Sequence, residues 1–224
     1  MSDLHPEDVG RLMGLLVHDL RNPAATFGAN IEFLMEAGSD DPDAREALED
    51  LGLALAEVKR GLDLMSYIGR WLIGEPALMG GDGDLALVLP PLAQELSGFQ
   101  VELELPEATP LRVLGASAVA EVLRIFLANS KHHVRHEGAL LRARVEGEQI
   151  IVECVDRGPA MPAELRDAAS TLAGQGTIKA RPSGRYSRFA GLLAAHAIAE
   201  SVGARVEYGG EDGAAIFRVI AQRA

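Results

Sequence analysis

The sequence predicts an α+β protein in two parts. An antiparallel helical hairpin comes first, pairing with a second copy as a dimeric four-helix bundle, and an α/β sandwich follows. Three observations carry this. Apolar residues recur at helical spacing through the first third of the 224 residues. A stretch with Pro76 and the glycines Gly74, Gly80, Gly81 and Gly83 then interrupts the pattern. Beyond it, helix-like and strand-like segments alternate.

The first helix is expected from Pro6 to about Ala37, with Val9, Leu12 or Met13, Leu16, Leu20, Phe27, Ile31 and Leu34 as its apolar stripe. Ser39-Asp40-Asp41-Pro42-Asp43 makes a polar turn with helix-start signals. The second helix carries a nearly strict heptad: Leu48, Leu51, Leu55, Val58, Leu62, Met65, Ile68 or Gly69, and Leu72. Steps of three and four keep one seam facing a partner. Helices of about 30 residues are roughly 45 Å long. A lone hairpin of that length cannot bury both stripes, so a homodimer is expected.

The domain boundary falls in the glycine-rich stretch, giving a hairpin over 1–76, a linker over 77–84 and a second domain over 85–224. In the second domain, Leu85–Leu96 reads as a helix interrupted by Pro90-Pro91, and Gln100–Leu105 as a strand. Ser117–Val134 has helical periodicity. Leu140–Val145 and Gln149–Val155 are strands joined by a turn around Glu146-Gly147-Glu148. Pro162–Ser187 is loop-rich with a weak helical signal. Ala190–Val202 is an alanine-rich helix, and Arg205–Tyr208 with Ala215–Ala221 closes the chain as a hairpin.

Composition excludes several classes. The net charge of −12 argues against nucleic acid as a partner, because phosphate contacts need clustered lysine and arginine. No apolar run reaches the length of a membrane-spanning helix. No basic region followed by an apolar stretch marks a signal peptide, so a cytoplasmic location is expected. The single cysteine, Cys154, sits in an apolar run without metal-ligand spacing and reads as a buried small hydrophobe.

The sharpest chemistry lies in Val17-His18-Asp19-Leu20-Arg21-Asn22-Pro23. His18 falls about 200° around the helix from both Leu16 and Leu20, away from the stripe. An imidazole held in solvent on a rigid helix is an accessible nucleophile. Asp19 is adjacent and suited to orient the ring or accept its proton. Asn22 lies one turn on, on the same face. Pro23 removes a helical hydrogen bond beside the site.

His18-Asp19-Leu20-Arg21-Asn22-Pro23 resembles the H-box of bacterial sensor histidine kinases. The resemblance implies that His18 is the phosphoacceptor. It further implies that Asp19 assists proton removal and that Asn22 positions water for dephosphorylating a partner.

The second domain resembles the ATP-binding domain of that family. Val122 to His133 is similar to the N-box, which implies Asn129 as the Mg²⁺ ligand and His132 at a position where the family often has lysine or histidine. Ile125 replaces a frequent asparagine. Asp156-Arg157-Gly158-Pro159-Ala160 resembles the first glycine box, usually Asp-x-Gly-x-Gly. Asp156 would accept the adenine amino group, and Gly158 would let the backbone approach the base. Ala160 stands at the second glycine. Phe189-Ala190-Gly191-Leu192 corresponds to the family's Gly-Leu-Gly-Leu: Gly191 survives, Phe189 replaces a glycine, and Arg185 and Arg188 are candidates to pair with phosphate.

Three readings stay open. One is a histidine kinase that uses ATP and Mg²⁺ to phosphorylate His18 and passes the phosphoryl group to a response-regulator receiver aspartate. Another is an ATP-independent phosphotransferase, or pseudokinase, with a vestigial ATP site. The last is a non-enzymatic scaffold for receiver domains. No sensor region is read in the chain, so input is expected from a separate sensor protein.

Overall fold

The computed structural model describes residues 5–38, 41–78, 80–96, 98–107, 109–134, 137–169, 171, 191–211 and 213–224. The chain divides into two units, Met1–Glu75 and Pro76–Ala224.

The first unit is a helical hairpin of α1 (Pro6–Ala37) and α2 (Pro42–Leu72). Each starts with proline in its first turn, where the missing N–H costs nothing. Asp41 caps α2 by accepting the Asp43 N–H at 3.0 Å. Pro23 lies within α1, which continues through it. The interface between the helices uses a narrower face than the apolar stripe suggests. Val17, Ala24 and Ile31 of α1 are buried, and Val17 and Ala24 pack with Leu62, Leu55 and Met65 of α2. Near the open end the helices approach closely at Gly10 and Gly69. A Cβ on Gly10 would lie 2.8 Å from the Gly69 carbonyl oxygen.

Several other apolar residues of the hairpin point outward. Leu16, Leu20, Phe27 and Leu34 of α1 are exposed, as are Leu51 and Val58 of α2. The α2 heptad thus splits: Leu55 and Leu62 pack on α1 and Leu48 is half-buried, while Leu51 and Val58 are exposed.

The second unit is built on a five-stranded sheet in the order β2-β4-β5-β7-β6. The strands are β2 (Val101–Glu104), β4 (Ala139–Glu146), β5 (Gln149–Asp156), β6 (Arg205–Glu211) and β7 (Ala214–Gln222). β2 runs parallel to β4, and the other pairs are antiparallel. A tight turn at Gly147, with φ of 59°, joins β4 to β5. Among the described residues, four helices accompany the sheet: α3 (Leu85–Gln94), α4 (Ala116–Val134), α5 (Ala163–Ala169) and α6 (Gly191–Ser201). The core is aromatic at its centre. Phe126 of α4 lies 5.4 Å, centroid to centroid, from Phe217 of β7 and 6.2 Å from Tyr208 of β6.

Three local features depart from simple sequence expectation. α3 runs unbroken through Pro90 and Pro91, because burial of Leu85, Leu89 and Leu92 outweighs the lost helical hydrogen bonds. A two-stranded ladder pairs β1 (Gly83–Asp84) with β3 (Arg112–Val113). Residues in the 77–84 stretch fold with the second unit: Ala77 is buried and its N–H donates to Ser201 Oγ at 2.7 Å. No helix among the described residues is long and apolar enough to cross a membrane.

Candidate phosphoacceptor helix and nucleotide pocket

On α1, His18 follows the buried Val17 and is itself exposed. Burying Val17 against α2 fixes the rotation of the helix, and that rotation puts His18 and Asn22 in solvent. Arg21 Nη2 donates to Asp63 Oδ1 of α2 at 2.9 Å, tying the motif to the second helix. Thr26 Oγ1 donates to the Asn22 carbonyl oxygen at 3.1 Å, next to the turn where Pro23 removes a donor. Asp19 lies on the same turn of α1. The arrangement offers an imidazole on a stiff, two-point-anchored helix.

In the second unit, one turn of α4 reaches two of the segments singled out from the sequence. Ser130 is fully buried, and its Oγ donates to Asp156 Oδ2 at 2.5 Å, at the end of β5. The other carboxylate oxygen accepts the Gly158 N–H at 2.8 Å, a local Asx-type turn. One turn earlier on α4, Ile125 is buried, and its Cγ2 lies 3.5 Å from where a Gly191 Cβ would stand at the start of α6. Asn129 sits between them. Its Nδ2 is buried and has no hydrogen-bond partner among the described residues. His132 is half-buried toward the end of α4, with its ring edge-on to His133 at 4.7 Å.

Thus α4 touches both Asp156 and Gly191, and Asn129 lies on α4 between the two contacting residues. Phe189, Arg185 and Arg188 lie outside the described residues, as does most of the loop ahead of them. Ser130 was not singled out in the sequence. A serine inside an apolar helix has no spacing signal, and only the fold shows that it meets Asp156.

The residues fit an adenine nucleotide with Mg²⁺. A buried carboxylate without a charged or hydrogen-bonding partner costs several kcal/mol. Here two donors support Asp156, and carboxylate oxygens accept more than one hydrogen bond each. The unpartnered amide of Asn129 suits a phosphate or water oxygen at its nitrogen end, leaving its oxygen for a hard cation.

No family model matches the chain, and no curated protein matches it. Solved structures do. Full-length ShkA, determined in complex with AMPPNP, aligns over 96% of this chain and 46% of its own, at 19% identity and a TM-score of 0.64. The histidine kinase AdeS of Acinetobacter baumannii aligns over 92% and 97%, at 16% identity and a TM-score of 0.55. The histidine kinase ThkA, in complex with the response regulator TrrA, aligns over 96% and 62%, at 13% identity and a TM-score of 0.61. The chain spans about half the length of ShkA. It has the fold of the histidine kinases: a helical region followed by their ATPase-type sandwich.

Proposed function

We propose that the chain is a two-component histidine kinase in which His18 receives the γ-phosphoryl group of ATP and a receiver-domain aspartate takes it onward. One observation carries the ATP side of this reading. Asp156 is buried yet held as a hydrogen-bond acceptor by Ser130 and Gly158. A carboxylate kept in that state at a strand end suits a ligand that donates to it. ShkA was determined with AMPPNP and ThkA with a response regulator, and both share this fold.

Each residue then has a stated task. His18 is the nucleophile, and Asp19 helps remove its proton. Asn22 positions water for dephosphorylating the partner. Asp156 accepts from the adenine amino group, with Gly158 beside the base, and Gly191 opens α6, whose N-terminal amides suit phosphate. Asn129 offers the protein oxygen for Mg²⁺, and His132 lies near the phosphate side. The metal neutralises phosphate charge when bound. The hairpin dimerises through its outward apolar face, and a separate sensor protein supplies the input.

Incubation with radiolabelled ATP and Mg²⁺ tests the proposal: wild type is labelled and His18→Ala is not. Absence of label on wild type, together with no calorimetric ATP binding, overturns the kinase reading. One observation favours the ATP-independent phosphotransferase instead. Ile125 sets an apolar, buried side chain against Gly191 where the related pattern has asparagine. In that case His18 still accepts phosphate from a phosphorylated receiver but not from ATP. A His18→Ala variant that relays phosphate from either donor refutes both.

A further inference from the structure

We infer that Arg21 exchanges partners when His18 carries a phosphoryl group, leaving Asp63 of α2 for the phosphoryl oxygens. The inference rests on the reading of His18 as the phosphoacceptor and deepens it.

The case begins with position on α1. Arg21 falls about 60° around the helix from His18 and about 40° from Val17, between the exposed imidazole and the buried seam with α2. Side chains three residues apart on a helix are neighbours, with Cβ atoms roughly 5–6 Å apart. A guanidinium is long enough to reach a group on the next turn, and its planar fork matches two phosphoryl oxygens at once.

Its partner in the unphosphorylated chain holds it loosely. Arg21 Nη2 donates to Asp63 Oδ1 at 2.9 Å, and both side chains are more than half exposed. A pair so open to water contributes little, so a stronger acceptor on the same side displaces Asp63 at small cost. A phosphoryl group on the imidazole is such an acceptor, with up to two negative charges and three oxygens against one charge and two oxygens on the carboxylate.

Asp63 then has a definite task. Before phosphorylation it neutralises Arg21 and holds the guanidinium on the α2 side of His18. Afterwards it competes with the phosphoryl group for the same cation. An ion pair that only pinned α1 to α2 would show no such competition.

The competition is read on the phosphoryl group itself. A cation beside that group favours its dianion, and so lowers the pH at which it takes up a proton. Phosphoramidate loads imidazole without ATP: a ring nitrogen attacks phosphorus, the reagent's P–N bond breaks, and the departing ammonia takes up the ring's N–H proton. The full chain treated in this way is followed by ³¹P NMR across pH, and the resonance missing from His18→Ala is that of phospho-His18. Asp19, next in the chain, is common to every variant and cancels in the comparison.

Arg21→Gln is expected to raise the protonation midpoint of that resonance by about half a pH unit, the scale of an exposed ion pair. Asp63→Asn is expected to lower it, and its effect should largely vanish when Arg21→Gln is also present. Circular dichroism of each variant checks that the hairpin persists. An unchanged midpoint in Arg21→Gln overturns the inference and leaves His18 as phosphoacceptor. An Asp63→Asn shift of the same size with and without Arg21 means direct repulsion, and also overturns the exchange. No resonance assignable to His18 shows that its imidazole is not an accessible nucleophile, and overturns both readings.

Discussion

Ala160 fills the space that a side chain at Gly210 would need: a Cβ on Gly210 would fall 2.0 Å from Ala160 Cβ and 2.8 Å from its Cα. Ala160 stands at the second glycine of the box that begins at Asp156, and β6 provides the missing room by carrying a glycine opposite. Gly210→Ala is therefore expected to destabilise the second unit by about 1–3 kcal/mol, the range for overpacking. Thermal unfolding reads this as a drop of roughly 2–4 °C per kcal/mol at this chain size. Adding Ala160→Gly should recover part of the loss and no more, because the new Cβ also meets the Ala214 carbonyl oxygen at 2.6 Å. A single variant as stable as wild type would show that the two positions are not in competition.

Glu153 poses a different problem, that of a charge with almost no solvent. It is 1% exposed on β5. The strand register places Arg142 on one side and Arg218 on the other. Glu153 accepts from Arg218 Nε and Arg142 Nε at 2.5 Å each, and Arg144 Nη1 lies at 2.8 Å. Burial pushes its pKa up, but the hydrogen bonds from Arg218, Arg144 and Arg142 outweigh burial and hold it at about 2. A carboxyl with a depressed folded-state pKa stabilises the fold above its unfolded pKa of about 4.3, and that contribution is lost as pH falls toward 2. Glu153→Gln should lower stability at pH 7 by about 3 kcal/mol, and the gap to wild type should close between roughly pH 4.5 and 2. Denaturant melts across that window check it. A gap that stays constant with pH would mean that lost packing, not charge, accounts for the change.

The hairpin offers a paired test of close approach. A Cβ on Gly10 would meet the Gly69 carbonyl oxygen at 2.8 Å and Ile73 Cγ2 at 2.9 Å, whereas one on Gly14 meets nothing within 4 Å. Alanine is favoured over glycine in a helix by about 1 kcal/mol. Gly14→Ala should gain up to that amount. Gly10→Ala should lose stability despite the same propensity gain, because backbone on the opposite helix must move. Circular-dichroism melts of the two variants are expected to shift in opposite directions. Shifts of the same sign would rule out the Gly10–Gly69 crossing as a packing constraint.

These residues also show what could be read from the chain alone. The two long helices were legible because a period of 3.6 over thirty residues is a strong signal. Which face of α1 meets α2 was not. Val17, Ala24 and Gly28 lie next to the stripe of Leu16, Leu20 and Phe27, and small residues score as weakly apolar although they permit the closest packing. β1 and β3 have two residues each, too few for any alternation to register. Asp156, Gly158 and Asn129 were singled out through the resemblance of their segments to family motifs. Ser130 and the arginines around Glu153 were not, because their partners lie 9 to 65 residues away and meet only through sheet register and helix docking.

The outward face of the hairpin carries the last prediction. Leu16, Leu20, Phe27 and Leu34 are 45–65% exposed on α1, and Leu51 and Val58 are 54% and 53% exposed on α2. On a helical wheel the four α1 residues share one side, with His18 roughly opposite. A second hairpin packed there would cover them and leave His18 in solvent. The α2 heptad fits the same arrangement: alternate members already pack on α1, and Leu51 and Val58 are spaced to meet another helix. Light scattering at micromolar concentration is expected to give twice the chain mass. Leu20→Asp with Phe27→Asp removes four half-exposed apolar side chains per dimer. At about 1 kcal/mol each, that weakens association by about a thousandfold and yields a monomer whose helical content is retained. A monomeric wild type would mean that some other surface covers this face. A double variant that stays dimeric would place the dimer contact elsewhere on the chain.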